Sequence, residues 1–392
     1  MHSAQSGSGE SSAEDDLNEV AILAAAVTAL GSKEARLERA EKRLPSRRYL
    51  RRPQLLPDPR NNTPWQVLCD SQDDRAFITT MGIDCATFEY ILDSGFRMQW
   101  ESLAIPRTDA DPAGAPRLGR RSLTAEGALG LIYHFLTSAM PDTALQQIFA
   151  LVPSTVSRYR SFAIIILRDV LRTIPEAAIE WWATEEECEE DSELIRARHP
   201  LLTEAIGSID GLNLLAASSD NTDVENATYN GWLHGHFTSC VLAFSPQGVI
   251  KAAVLNAPGS WHDAKITCPI YDKLRDKTLL GYYLVADTAF PRGTSSIAGR
   301  IQAPLKAGQT VPTNAQERDA LLARNRQLLS YWQTAEWGMR HLRASFGRLR
   351  VPLDINDPEG RLTLLEVCCR SCNVRTVRVG VSKIRTVYTR YW

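Results

Sequence analysis

The spacing of apolar residues changes near residue 200, and that change restricts the possible folds more than any other feature of the chain. Over 65–179 the apolar residues recur at helical spacing, with helices expected at 87–92, 124–137 and 162–171 and no convincing strand. Residues 191–200 close this part with charges and a proline. Beyond it, apolar runs of strand length at 205–216, 237–244, 249–255, 282–286 and 301–305 are joined by helical patterns at 262–274 and 316–346. Several strands followed by helix, strand and helix describe an α/β domain with a mixed sheet and flanking helices, preceded by a helical domain. A chain of 392 residues exceeds the size at which one core keeps growing. The expected division is an N-terminal extension and linker over 1–64, a helical domain over 65–199 and the α/β domain over 200–392.

Within the helical part, 142–149 reads as a short helix, 151–153 as a tight break, and Ser154 as the N-cap of a second helix. That is helix-turn-helix spacing over about 142–170. The second helix would present Ser154, Thr155, Ser157, Arg158 and Arg160 near its start, where a recognition helix meets base edges and phosphates. Packing inside a helical bundle is the competing reading. The first 16 residues are rich in Ser, Gly and acids with no basic start, so a disordered tail and an intracellular protein are expected. Residues 17–43 read as a helix. In the linker after it, Arg47, Arg48, Arg51 and Arg52 make either a nuclear-import or nucleic-acid patch or a solvated stretch.

Hydrophobic residues at 44% and charged residues at 23% suit a soluble protein, and no apolar run nears the roughly 20 residues that span a bilayer. No membrane role is expected. The net charge of -2 hides an acidic block at 185–193 and an arginine-rich stretch from Arg340 onward. If they share a side with the acids described next, Arg340, Arg343 and Arg348 would neutralise phosphates; elsewhere they are a solvated face. Only Cys368, Cys369 and Cys372 of the eight cysteines cluster, and without a second ligand pair they read as reduced buried thiols.

Two acids stand in matching settings. Asp210 ends the apolar run Ile206-Gly-Ser-Ile and precedes Gly211, while Asp287 ends the run at 282–286. Acids at strand ends with small neighbours are where an α/β sheet presents ligands. Two carboxylates at close range need a counter-charge, which a divalent cation supplies through hard oxygen ligands; Mg²⁺ or Mn²⁺ suits them better than Zn²⁺. Glu336, in the long helical stretch, is a third candidate, framed by Trp332, Met339 and Arg340. His262 and Asp263 follow a Pro-Gly turn, so Asp263 either caps the next helix or stands with His262 beside the metal site or the DNA. Trp261 and Trp337 either stack on an unpaired base or belong to the core.

Four segments in order carry a family resemblance: Gly207-Ser-Ile-Asp210-Gly, Ala257-Pro-Gly-Ser-Trp-His262-Asp263, Ala286-Asp287-Thr-Ala-Phe-Pro, and Glu336-Trp-Gly-Met-Arg with Phe346-Gly-Arg-Leu. Together they resemble the DDE domain of PIF/Harbinger-type transposases and their domesticated nuclease relatives. The helix-turn-helix before them and Cys372-Asn373-Val374-Arg375 after them are similar too. The resemblance implies an RNase H-like fold in which Asp210, Asp287 and Glu336 are the catalytic, metal-binding triad of a DNA endonuclease and transposase. It implies two Mg²⁺ or Mn²⁺ ions about 3.5–4 Å apart, one activating water or a 3′-hydroxyl and the other stabilising the leaving oxygen. It also implies DNA as partner, a separate Myb-like DNA-binding protein, a homo-oligomer and a nuclear location. The sequence departs from the family at Gln333, where an arginine is common, and at Ala286, where a glycine often precedes the acid. A domesticated DNA-binding or partner-binding protein that keeps the fold without the reaction is therefore the alternative. A metal-dependent phosphatase or RNase shares the carboxylate chemistry, and the helix-turn-helix argues against it.

Overall fold

In a computed structural model, the residues described are 31, 50–106, 115, 117–290 and 297–389. Apart from Gly31, the helix expected over 17–43 lies outside them, as do Arg47 and Arg48. Residues 52–392 form one compact unit. Its first part is helical: α1 (Pro64–Ser71), α2 (Asp74–Met81), α3 (Cys85–Ile91), α4 (Arg97–Ser102), α5 (Ala125–Thr137), α6 (Asp142–Phe149), α7 (Pro153–Leu171) and α8 (Glu185–Arg196). Side chains of Thr63, Asp73, Asp84 and Thr124 each accept a backbone N–H of the following turn, which fixes where these helices begin. The second helix of the expected helix-turn-helix starts earlier than expected. Val152 stands at its N-cap and Pro153 at its first position, because proline has no N–H to leave unpaired there. Ser154 is therefore not the cap. The acidic block at 185–193 is itself a helix, with Glu185, Glu186 and Glu187 in the first turn where the helix dipole favours them.

The α/β part begins with β1 (Ala205–Leu215) and continues through α9 (Thr222–Thr228), β2 (Tyr229–Asn230), β3 (Gly235–Phe244) and β4 (Ile250–Pro258). The chain then forms α10 (Asp263–Ile266), α11 (Cys268–Asp276), β5 (Tyr283–Ala286) and β6 (Ile301–Gln302). It closes with α12 (Ala315–Ser345), α13 (Pro358–Val374) and α14 (Lys383–Tyr388). The expected helix at 262–274 is split at Thr267, before Pro269. The strand expected at 301–305 pairs over two residues only.

The sheet runs β2-β3-β1-β5-β6, and β4 lies on the outer side of β3. Antiparallel pairing of β1 with β3 and of β3 with β4 meets parallel pairing of β1 with β5 and of β5 with β6. This is the mixed α/β architecture typical of an RNase H-like domain. Leu212, Leu214, Tyr283 and Val285 join one buried cluster, which also holds α12 residues, while Ile209, Leu284 and Ala286 join a second. Period-two alternation thus sends the strands into two cores. No described helix is long and apolar enough to cross a membrane.

The change from helices to strands near residue 200 leaves no gap in the packing. One buried cluster contains Trp65, Leu131 and Leu167 of the helical part together with Leu242 of the sheet and Val367 of α13. Cys368, Cys369 and Cys372 are free thiols buried in it, and burial pushes all three up in pKa. Asn373 ties three parts together. Its Oδ1 accepts the Ile250 N–H at 2.8 Å, and its Nδ2 donates to the carbonyls of Ile250 and Ala178 at 3.1 and 2.7 Å. The amide thus pairs edge-strand β4 with α13 and with the segment before α8. Asn373→Leu would leave those backbone groups buried and unpaired, so an equilibrium denaturation series should show a loss of about 2–4 kcal/mol. A loss below about 0.5 kcal/mol would mean that water replaces the amide.

Candidate active site

Strands β1 and β5 run parallel with Ser208 opposite Val285 and Ile209 opposite Ala286. There β5 stops, so Asp210 and Asp287 are the next pair in the same register. Asp210 is not at the end of its own strand, as the apolar run suggested. Pairing with β3 carries β1 on to Leu215, with Asp210 opposite Leu242. The neighbouring strand is the one that ends, and it opens the edge of β1 at Asp210.

Glu336 comes from α12, which lies across β1. The hydroxyls of Thr334 and Ser208 are hydrogen-bonded at 2.7 Å, and both residues are buried. One turn on, Gly338 lies against the Phe244 ring so closely that a Cβ there would stand 2.6 Å from it. Only glycine permits this approach. Ser208 is two residues before Asp210, and so on the same face of β1, and Thr334 is two residues before Glu336. Glu336, carried on the helix held there, is within electrostatic reach of Asp210. Arg340 donates to Glu336 Oε2 at 3.3 Å, and its side chain is 77% exposed. Gln333 is exposed rather than turned to the sheet.

Asp263 completes the group. His262, not Asp263, caps α10, with Nδ1 accepting the Ala264 N–H at 3.2 Å. The Asp263 carboxylate lies instead beneath Gly211, where a Cβ would meet it at 2.8 Å. Gly211 stood out in the sequence as a small neighbour of Asp210, whereas Ser208, Thr334 and Gly338 were not singled out for this role. The only signals for them are their offsets of one or two residues from an acid.

Burial raises the pKa of Asp210 to about 7; the Gly211 N–H opposes this, and Asp287, Asp263 and Glu336 add to it. Burial raises Asp263 as well, with His262 opposing and Asp287 adding. Among the described residues, no three His, Cys, Asp or Glu side chains stand close enough together to hold an ion as they are. The donor set nevertheless fits a hard divalent cation. It is made only of carboxylates, and the free edge of β1 lies between them.

Compared with known families, residues 209–373 match the one described as DDE superfamily endonuclease. This segment is a DDE superfamily endonuclease domain. Among curated proteins and solved structures nothing matches the chain. The matched range contains the three acids in order and ends on Asn373.

Outside the DDE domain, α6 and α7 are joined through Ala150 in left-handed backbone, which keeps the helix-turn-helix spacing. Ser154 and Ser157 are exposed, and Thr155 and Arg158 are half-buried. Arg160 pairs with Asp142 at 2.9 Å and lies 4.6 Å over the Phe135 ring. Arg348 lies 4.1 Å over the same ring and donates to the Met140 carbonyl at 3.2 Å. Arg348, just past α12, thus holds that segment to the helical part, while Arg160 joins α7 to α5 and α6. Arg343 is exposed. Trp261 is 40% exposed beneath the Lys265 ammonium, which lies 3.7 Å from the ring centroid; Trp337 is half-buried under Lys383.

The raised pKa of Asp210 ties stability to pH in metal-free protein. A carboxyl whose folded pKa exceeds its unfolded value contributes stability at low pH, and that contribution disappears as pH rises through the folded value, here about 7. With EDTA present, Asp210→Asn should therefore exceed wild type near pH 8 by on the order of 2–4 kcal/mol, and the gap should close toward pH 4. Denaturant titrations at the two pH values check this, and equal stabilities at pH 8 would refute it.

Proposed function

We propose that this chain is a metal-dependent DNA endonuclease and strand transferase of the Harbinger transposase type. One observation carries the reading: Asp287, just past the end of β5, and Glu336 of α12 both act electrostatically on Asp210 of β1, within a segment matching the DDE superfamily endonucleases. Asp210 and Asp287 would hold the cations at the open edge of β1, and Glu336 would reach them from α12. A divalent cation held there supplies charge stabilisation for the attacking and leaving oxygens of a phosphodiester. Burial pushes Asp210 toward its uncharged form, and a bound cation would favour the charged one. The Thr334–Ser208 and Gly338–Phe244 contacts fix the helix that carries Glu336. No side chain need act as a covalent nucleophile, because the oxygen of water or of a 3′-hydroxyl forms the new P–O bond.

DNA is the partner this chemistry requires. Exposed Ser154, Ser157 and Arg343, with half-buried Thr155 and Arg158, are its proposed contacts, whereas the engagement of Arg160 and Arg348 with Phe135 supports a packing role. Two Mg²⁺ or Mn²⁺ ions, a Myb-like DNA-binding partner, self-association and a nuclear location belong to the same proposal and rest on the family resemblance.

Supercoiled plasmid incubated with the purified chain and Mg²⁺ or Mn²⁺ should be nicked. Asp210→Ala, Asp287→Ala and Glu336→Ala should each lower the rate at least ~1,000-fold, since the ions would supply both the nucleophile and the charge stabilisation. Nicking that survives all three changes would place the active site elsewhere. Salt-sensitive binding without nicking would favour the domesticated binding protein. Arg343→Ala should weaken DNA binding about equally across sequences and lower the slope of log K against log salt by about 1.

A further inference from the structure

We infer that the turn between β2 and β3 is a stacking platform on which Trp232 takes an unpaired base of a DNA strand, an assignment that rests on the endonuclease reading above. Trp232 is 91% exposed and, among the described residues, has no aromatic or cationic partner. It is not an isolated surface residue. Tyr229 and Leu233 on either side of it and Trp261 on the neighbouring loop are exposed too, and an apolar patch of this kind marks a surface that meets a partner. The backbone beneath the indole is held by one side chain. Asn230 Oδ1 accepts the N–H groups of Trp232 and Leu233 at 3.1 and 3.0 Å, and its Nδ2 donates to the Gly259 carbonyl at 2.9 Å. A large ring that buries almost nothing, carried on a turn already ordered, can bind a flat partner at little further cost in conformational freedom.

The position and charge of the patch say which partner it fits. The bond from Asn230 to Gly259 lies two residues from Trp232 on one segment and two residues from Trp261 on the other. A Cβ at Gly259 would stand 2.3 Å from the Phe237 carbonyl oxygen and 2.5 Å from that of Thr228, so the two segments touch through their backbones. Two residues past Trp261, the Asp263 carboxylate lies against Gly211, the neighbour of Asp210. The exposed indoles are therefore carried by the loops that border the acids. Lys265 adds positive charge to the patch: its ammonium lies 3.7 Å from the Trp261 ring centroid and, among the described residues, pairs with no carboxylate. Flat rings beside a free cation suit a nucleic-acid strand, which offers a π-face on every base and a negative charge on every phosphate. An apolar protein segment would use the rings and leave the cation unanswered. Bases inside a duplex cover one another, so the base that lies on Trp232 must be unpaired.

The test measures binding of the full chain, in EDTA so that no cleavage intervenes, to a DNA hairpin with a single-stranded tail containing 2-aminopurine and to the same hairpin without the tail. Wild type should bind the tailed hairpin more tightly and quench the aminopurine, whose emission falls when it stacks. Trp232→Ala and Trp232→Leu should each weaken binding to the tailed hairpin about 10-fold or more, abolish the quenching and leave the blunt hairpin unaffected. Trp232→Phe, which keeps a ring, should retain most of both signals, and all three variants should melt like wild type. Lys265→Ala should lower the slope of log K against log salt on the tailed hairpin by about 1. Trp232→Leu binding like wild type would indicate an apolar surface for a protein, tighter binding of an RNA tail would indicate RNA, and equal losses on both hairpins would indicate a contact indifferent to unpaired bases. Each of these results would overturn the platform. Plasmid nicking with Mg²⁺ separates the two levels of inference. If wild type nicks plasmid while Trp232→Ala binds the tailed hairpin normally, the platform falls and the endonuclease reading stands. If tail binding depends on Trp232 but no plasmid is nicked, the platform stands and the cleavage falls, and if wild type neither nicks nor binds DNA, both fall.

Discussion

The parallel pairing of β1 with β5 sets the position of everything functional. The ladder ends at Ile209 and Ala286, one residue short of the two aspartates on both strands, while β1 continues alone on that side. One paired edge thereby becomes an open one, with acids on each side of the opening. The Thr334–Ser208 hydrogen bond and the seating of Gly338 on Phe244 then fix α12 across the same strand. Small residues mark each close approach: Gly338 at the helix and Gly211 at the strand. In each case a methyl group would force a separation of the elements that the site requires to be near.

The helical part and the sheet are bound together by burial and by a few fully used polar groups. Asn373 satisfies the backbone of an edge strand that would otherwise lack a neighbour on its outer side. The bidentate Arg172–Glu366 pair, at 2.6 and 2.8 Å, holds the end of α7 to α13 at the surface. Arg348 on the Phe135 ring ties the segment after α12 to the helical part at another point. The start of α7 keeps its exposed serines while its far end is docked.

Electrostatics run against stability at the crest of the sheet. Asp210 is driven toward its neutral form by burial and by its acidic neighbours, so the metal-free fold carries an unfavourable cluster. A divalent cation bound there, as proposed, would relieve that strain, and its binding energy would add to folding stability. The cysteines behave oppositely: Cys368, Cys369 and Cys372 are uncharged thiols in an apolar core, where burial holds the proton in place.

Much of the fold was legible in the chain, and the three acids singled out there all lie within the matched segment. The switch of apolar period near residue 200 marked helices before strands, because that signal depends only on near neighbours, whereas the N-cap expected at Ser154 fell at Val152. The run before Asp210 misled, since the length of β1 is set by β3, a partner more than 20 residues away. Asp263 was ambiguous because capping depends on which of two adjacent side chains turns back to the helix. Arg160 and Arg348 looked available because a ring at 135 leaves no mark on their own neighbourhood. By itself the sequence determined which residues alternate, cap and carry charge, all properties of local covalent order. Only the tertiary structure decided where β5 stops, which faces meet at that opening and which acid lies beneath Gly211, because contacts between distant segments depend on how whole elements fill space.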